Sequence, residues 1–184
     1  MASMLFSPIK LRGLEVPNRI VVAPMCQYSA HDGTPNDWHL VHLGQFSLGG
    51  NGLILIEATG VEAEGRISPG CTGLYSDANE EGMARVIHFV RNYGHAKIGI
   101  QFGHAGRKAS AKLPWNGGTA LTTEEGAWPT VGPSAIPYAP GWHTPEALGD
   151  NALARVKQAF AQATERSIRL DFDVIEIHSA HGYL

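Results

Sequence analysis

Near the carboxyl end of the chain two imidazoles and a phenol stand almost side by side, at His178, His181 and Tyr183, with Gly182 between them. Two histidines three apart can donate two hydrogen bonds to one oxygen, or ligate a metal, and a neighbouring tyrosine can supply a proton. A metal would want a third ligand, and Glu176 is the nearest carboxylate, so a metal-dependent hydrolase built on His178 and His181 stands as a weaker alternative. Three other groups upstream could do chemistry: Cys26 with Tyr28 two positions on, Glu57-Ala58-Thr59, and Gln101 ahead of the polar run Gly103-His104-Ala105-Gly106-Arg107-Lys108. Taken alone, Cys26 reads as a small buried thiol with no role beyond packing. His39, His42, His88 and His95 read as helix-surface or helix-end residues outside any motif.

Each group follows a run that should form a strand. Val174 to Ile177 is apolar and β-branched, with Ile175 and Ile177 on the face that should pack on helices and Val174, Glu176 and His178 on the other. Lys97 to Phe102 carries Gln101 opposite Ile98, Ile100 and Phe102, and Leu53 to Ile56 is continuously apolar, as parallel strands covered on both faces tend to be. Arg19 to Ala23 ends at Pro24, which cannot donate a ladder hydrogen bond. Between these runs the spacing predicts helices over 37–48, closed by Gly49-Gly50, from Asp77 as a cap to about Tyr93 before Gly94, and from Asp150 to about Arg169. A short hairpin around Arg12-Gly13, joining Leu5–Lys10 to Leu14–Val16, precedes the first main strand. Residues 109–145 show no sustained period; Trp115, Trp128, Tyr138 and Trp142 recur there, either packing the loop down or, for one tryptophan, lining a substrate.

Polar groups at the carboxyl ends of successive strands are the habit of the (β/α)8 barrel, of which four units make a half. An open four-stranded sheet uses the same crossovers and is the alternative. With 184 residues and 43% hydrophobic content the chain can bury a core within one domain. A net charge of -3 without a basic cluster gives no footprint for nucleic acid, and no apolar run reaches membrane-spanning length. The first residues lack the pattern of a signal peptide, and two cysteines, Cys26 and Cys71, make no disulfide framework; a cytoplasmic protein with reduced thiols is the expectation.

Together Ala23-Pro24-Met25-Cys26-Gln27-Tyr28, Glu57-Ala58-Thr59, Gln101 to Lys108 and His178 to Leu184 resemble the old yellow enzyme family of FMN-dependent ene-reductases, and within it a bacterial subgroup that includes xenobiotic reductases. The resemblance runs from about Phe6 to Leu184. It implies an FMN-binding TIM barrel, the (β/α)8 fold, with 1–184 as the amino-terminal half of a single domain. Ala23, Pro24, Met25, Cys26, Ala58 and Gln101 would then face the flavin, with Cys26 tuning it; no metal is implied. His178 and His181 would hold the carbonyl or nitro oxygen of a substrate, Tyr28 would add a second substrate hydroxyl, and Tyr183 would give the proton. Such an enzyme reduces activated C=C bonds, taking its electrons from NADPH or NADH, and a homo-oligomer is expected. The chemistry suits the residue types: a carboxamide both donates and accepts, as an imide edge requires, and small residues let backbone approach a flat ring.

Family barrels are about twice this length, and their phosphate-binding loops follow the last two strands. A carboxyl-terminal half is therefore the expected partner, and a half-barrel inactive without it is the second hypothesis.

Overall fold

The computed structural model describes residues 3–184. After a single 3-10 turn at Met4–Phe6 the chain forms an antiparallel hairpin, β1 (Ile9–Leu11) and β2 (Leu14–Val16), in the register Ile9 to Val16. The expected first arm was longer, and its start is taken up by the turn. Then come β3 (Val21–Val22), α1 (Asp37–Leu48), β4 (Leu53–Gly60), α2 (Asp77–Tyr93), β5 (Lys97–Gly103), two short strands β6 (Val131–Gly132) and β7 (Glu146–Ala147), α3 (Asp150–Arg169) and β8 (Val174–Ile177). Strands β3, β4, β5 and β8 make one parallel sheet in sequence order. All four carboxyl ends therefore lie along one margin, as the sequence implied.

The helices begin and end where local chemistry dictates. Asn36 caps α1, its side chain accepting from Trp38 N–H at 3.0 Å, and His39 Nδ1 accepts from Asn36 N–H at 3.2 Å to close a capping box. For α2 the cap is Ser76, which accepts from Asn79 N–H at 3.2 Å; Asp77, expected as the cap, is the first helical residue. The helices bury Leu43, Met83, Val86, Val90, Ala159 and Ala163 against Ile54, Ile56, Ile98, Ile100 and Phe102, the alternating face of the sheet. An ion-pair cluster ties α2 to α3, with Arg169 reaching Glu80 at 2.7 and 2.8 Å and Arg166 meeting both Glu80 and Asp77.

Three expectations change. The strand after the hairpin is two residues long instead of five, because β4 is its one partner and Pro24 ends the ladder. The stretch 109–145 is not wholly irregular, since Val131–Gly132 pairs in parallel with Glu146–Ala147 and two 3-10 turns precede it. Ile175 and Ile177 are 37% and 63% exposed, so among the described residues no helix covers that part of β8. No helix is long and apolar enough to cross a membrane among the described residues.

Candidate active site

Glu57 is where the site's geometry starts. Along β4 the register with β5 runs Ile54 to Ile98 and Ile56 to Ile100, then shifts, so that Ala58 faces Gln101 and Glu57 is the extra residue of a bulge. A bulge re-aims side chains. Ala58 thereby joins the face of Gln101, while Glu57 turns away into the protein, 3% exposed. One of its oxygens accepts from Gln27 N–H at 2.8 Å and the other lies 3.1 Å from His39 Nε2. The expected surface residue His39 is thus 2% exposed, a correction with a plain cause: a helical histidine facing a buried carboxylate has a partner to bury with.

The bond to Gln27 holds the loop after β3. There Cys26 and Tyr28 are half-buried, and Tyr28 sits at φ +52°, a left-handed conformation for a residue with a Cβ. Gln27 Nε2 donates to Met25 O at 2.7 Å, Gln27 Oε1 accepts from Trp38 Nε1 at 3.1 Å, and Asn36 Nδ2 donates to Ser29 O. The loop 61–75 packs on the other side: Ala30 N–H donates to Gly70 O at 2.9 Å, and a Cβ on Gly70 would lie 2.4 Å from Tyr28 O. Cys26 lies in this loop. Its neighbour Cys71, then burial, then the nearby Glu57 carboxylate push its pKa far up, although the Ala58 backbone opposes this, so the thiol is neutral. Burial pushes the Tyr28 phenol up to about 12. Ala23 and Met25 are exposed and Pro24 half-buried at the same strand end.

At the next two ends the side chains meet directly. Gln101 is buried and its Nε2 donates to Glu176 Oε1 at 2.5 Å, which engages the carboxylate that a metal on His178 and His181 would have recruited. His178 N–H continues the ladder to Phe102 O at 2.8 Å, after which the chain turns back through left-handed His181 and Gly182. This turn stacks the His178 and Tyr183 rings, 4.3 Å between centroids and 16° apart, and brings His178 Nε2 to 3.2 Å from His181 Nδ1. Ala180 N–H points at His178 Nδ1 from 3.3 Å, so the proton of His178 is on Nε2 and donates to His181, whose own N–H is on Nε2. Burial, then the neighbouring His181, lowers the His178 pKa, and burial raises that of Tyr183, so the first is a neutral imidazole and the second a protonated phenol at neutral pH.

Lys108 was not singled out by the sequence. Lys108 Nζ lies 5.4 Å from the Tyr138 ring centre and 5.7 Å from that of Tyr183, a cation over two aromatic faces; it stood in the polar run after β5 with nothing to separate it from its neighbours. Trp115 meets Tyr28 edge-on at 5.6 Å, whereas Trp128 packs the long loop down by donating to Glu64 O at 3.0 Å. A further cluster, Glu62, Glu64 and His104, lies close enough to hold a cation. Its chemistry argues against one. His104 Nδ1 accepts from Gly106 N–H at 3.1 Å, so Nε2 carries the proton and faces Glu62 at 3.2 Å, and Arg155 already pairs with both carboxylates.

The chain as a whole is similar to known proteins. The model of the NADH:flavin oxidoreductase / NADH oxidase family matches residues 4–184. An NADH:flavin oxidoreductase of Gibberella zeae is 46% identical over 187 residues, covering 100% of this chain and 45% of the relative. An NADPH dehydrogenase of Geobacillus sp. is 40% identical over 186 residues, with 100% and 50% covered. Among solved structures, morphinone reductase in complex with tetrahydroNAD superposes with a TM-score of 0.83 at 27% identity, over 100% of this chain and 51% of that one. The chain spans about half the length of the curated relatives it matches.

Proposed function

Because the chain belongs to the NADH:flavin oxidoreductase / NADH oxidase family, we propose that residues 1–184 are the amino-terminal half of an FMN-binding (β/α)8 barrel, and that the intact protein reduces activated C=C bonds with electrons from NADPH or NADH. One observation supports this above the others: the residues suited to flavin and substrate come from the carboxyl ends of four adjacent parallel strands. Open sheets and barrels both build sites there, and the close superposition on half of a longer flavoprotein relative favours the barrel.

The residues fit the cofactor. Gln101 offers a buried carboxamide to the imide edge, Ala58 on the same face leaves room for a flat ring, and Ala23 to Cys26 bring backbone and a neutral thiol alongside. FMN, when bound, supplies the hydride acceptor and donor that protein side chains lack. His181, and His178 once it releases His181, donate N–H groups to a carbonyl or nitro oxygen as negative charge grows on it. Tyr183, kept protonated by burial, gives its proton to the substrate carbon, and Tyr28 adds a neutral hydroxyl donor. Enones and nitro compounds are the substrate class that such donors suit.

Reconstitution of the full-length protein with FMN is the direct test. A flavin absorption band that survives gel filtration is expected, and a colourless protein overturns the assignment.

A second reading, that this chain alone is an inactive half that needs its complement, is favoured by the two sheet edges. Val21 on β3 is 50% exposed and Ile177 on β8 63% exposed, an apolar edge at each end of the sheet. Activity in the 184-residue chain by itself would exclude it.

A further inference from the structure

Beneath the loop that carries Cys26 and Tyr28 lies a buried carboxylate. Glu57 and His39 are 3% and 2% exposed, and the cavity they line with Gln27, His42 and Leu43 measures about 10 Å³, room for about one water. An ion so placed depends on its donors. They are Gln27 N–H at 2.8 Å and His39 Nε2 at 3.1 Å, and the latter is a donor because its Nδ1 accepts from Asn36 N–H at 3.2 Å. Gln27 stands between Cys26 and Tyr28, in a segment with no strand or helix bonds of its own. Tyr28 is left-handed at φ +52°, and such a conformation persists only where its surroundings hold it. The bulge in β4 supplies the means, since without the extra residue the side chain at 57 would follow the strand alternation and could not turn toward α1.

We propose that Glu57, backed by His39, is the positioning residue of this site: through Gln27 N–H it fixes the loop that presents Cys26 and Tyr28, and its charge adds to the influences that keep the Cys26 thiol unreactive. This rests on the assignment of those two residues to the flavin and substrate side of the site. The second effect follows from sign. A carboxylate near the thiol disfavours thiolate, adding to the hydrogen bond with Cys71 and to burial, which act in the same direction.

An amide in place of the carboxylate removes the charge and disturbs the donors around it. If its oxygen faces Gln27 N–H, its NH2 faces His39 Nε2–H, and moving that proton to Nδ1 exchanges the bond from Asn36 N–H for one to Asn36 Oδ1, 3.3 Å away. The test is therefore Glu57→Gln in the intact protein, with the alkylation rate of Cys26 by iodoacetamide read by peptide mass mapping. Removing a charge that disfavours thiolate raises the thiolate fraction, so a faster reaction is expected, and Glu57→Asp, which keeps the charge, should bring the rate back toward that of the parent. An unchanged Cys26 rate in folded Glu57→Gln overturns the proposal. Hydrogen exchange on the unaltered protein carries the test should that variant fail to fold: the Gln27 amide should exchange more slowly than the Met25 and Cys26 amides beside it, and equal rates overturn the anchoring role. Neither measurement needs flavin, so a protein that failed to bind FMN would defeat the proposed function and leave these two results standing.

Discussion

Cys26 and the His178–His181 pair make different demands on the chemistry. The thiol is held protonated by Cys71 and by burial, and the proposed role for it is to tune the flavin by a weak hydrogen bond and to transfer nothing. Cys26→Ala in the full-length enzyme should therefore shift the flavin midpoint potential and the affinity for acceptor while turnover persists; complete loss of turnover with flavin still bound would contradict a tuning role. The histidines stand where charge develops. Their joint replacement, His178→Ala with His181→Ala, should slow oxidation of the reduced enzyme by an enone about a hundredfold, on the order of 3 kcal/mol for a lost donor of this kind, and spare reduction by the nicotinamide. Stopped-flow measurement of the two half-reactions separates these outcomes. Histidine spacing left a metal pair open; the structure engages Glu176 with Gln101 and turns His178 toward His181.

Helices α2 and α3 are tied to each other at Glu80, in the first turn of α2, by two arginines in the last turn of α3. The guanidinium of Arg169 and then that of Arg166 hold this carboxyl below its ordinary value of 4.5. A group whose folded pKa is depressed stabilises the fold above its ordinary value, and that contribution disappears as the pH falls through the depressed one. Glu80→Gln should accordingly lower the melting temperature at neutral pH, and the gap to the parent should close below about pH 4 in thermal melts followed by circular dichroism. A pH-independent gap would assign the effect to packing. Helix existence and extent were legible here, since Asp37, Asp150 and Arg169 are the observed ends. Which residue capped α2 was not, because Ser76 and Asp77 are both good caps and only backbone geometry separates them.

For the whole chain the decisive feature is a sheet with two open edges. Val21 at one end and Ile175 and Ile177 at the other are apolar and exposed, the composition that recruits another strand. The isolated 184 residues should self-associate and hold FMN weakly, and addition of the remaining half should restore both a defined mass and tight flavin binding. Light scattering on a size-exclusion column, run beside a flavin titration, reads both. A monodisperse monomer that binds FMN tightly would mean that these four strands are self-sufficient.

The order of strands and helices, and the placing of polar groups at strand ends, were written in the sequence, because hydrophobic period and turn chemistry are local properties. So was the closeness of His178, His181 and Tyr183, which are neighbours in the chain just past the last strand. Only tertiary structure decided what each of them touches. The bulge at Glu57 leaves no local trace: a buried carboxylate is stable only when a helix elsewhere in the chain brings His39 and a loop brings Gln27 N–H, and that meeting depends on the packing of three distant segments. The stacking of His178 on Tyr183 and the cation of Lys108 over two rings have the same origin, in a left-handed turn at His181 and Gly182 and a long loop that folds back across it. That a last strand with no further partner would be exposed followed from counting four strands, whereas the absence of a helix over the face of Ile175 and Ile177 did not, since alternation tells which face a side chain takes and only the assembled fold tells what covers that face.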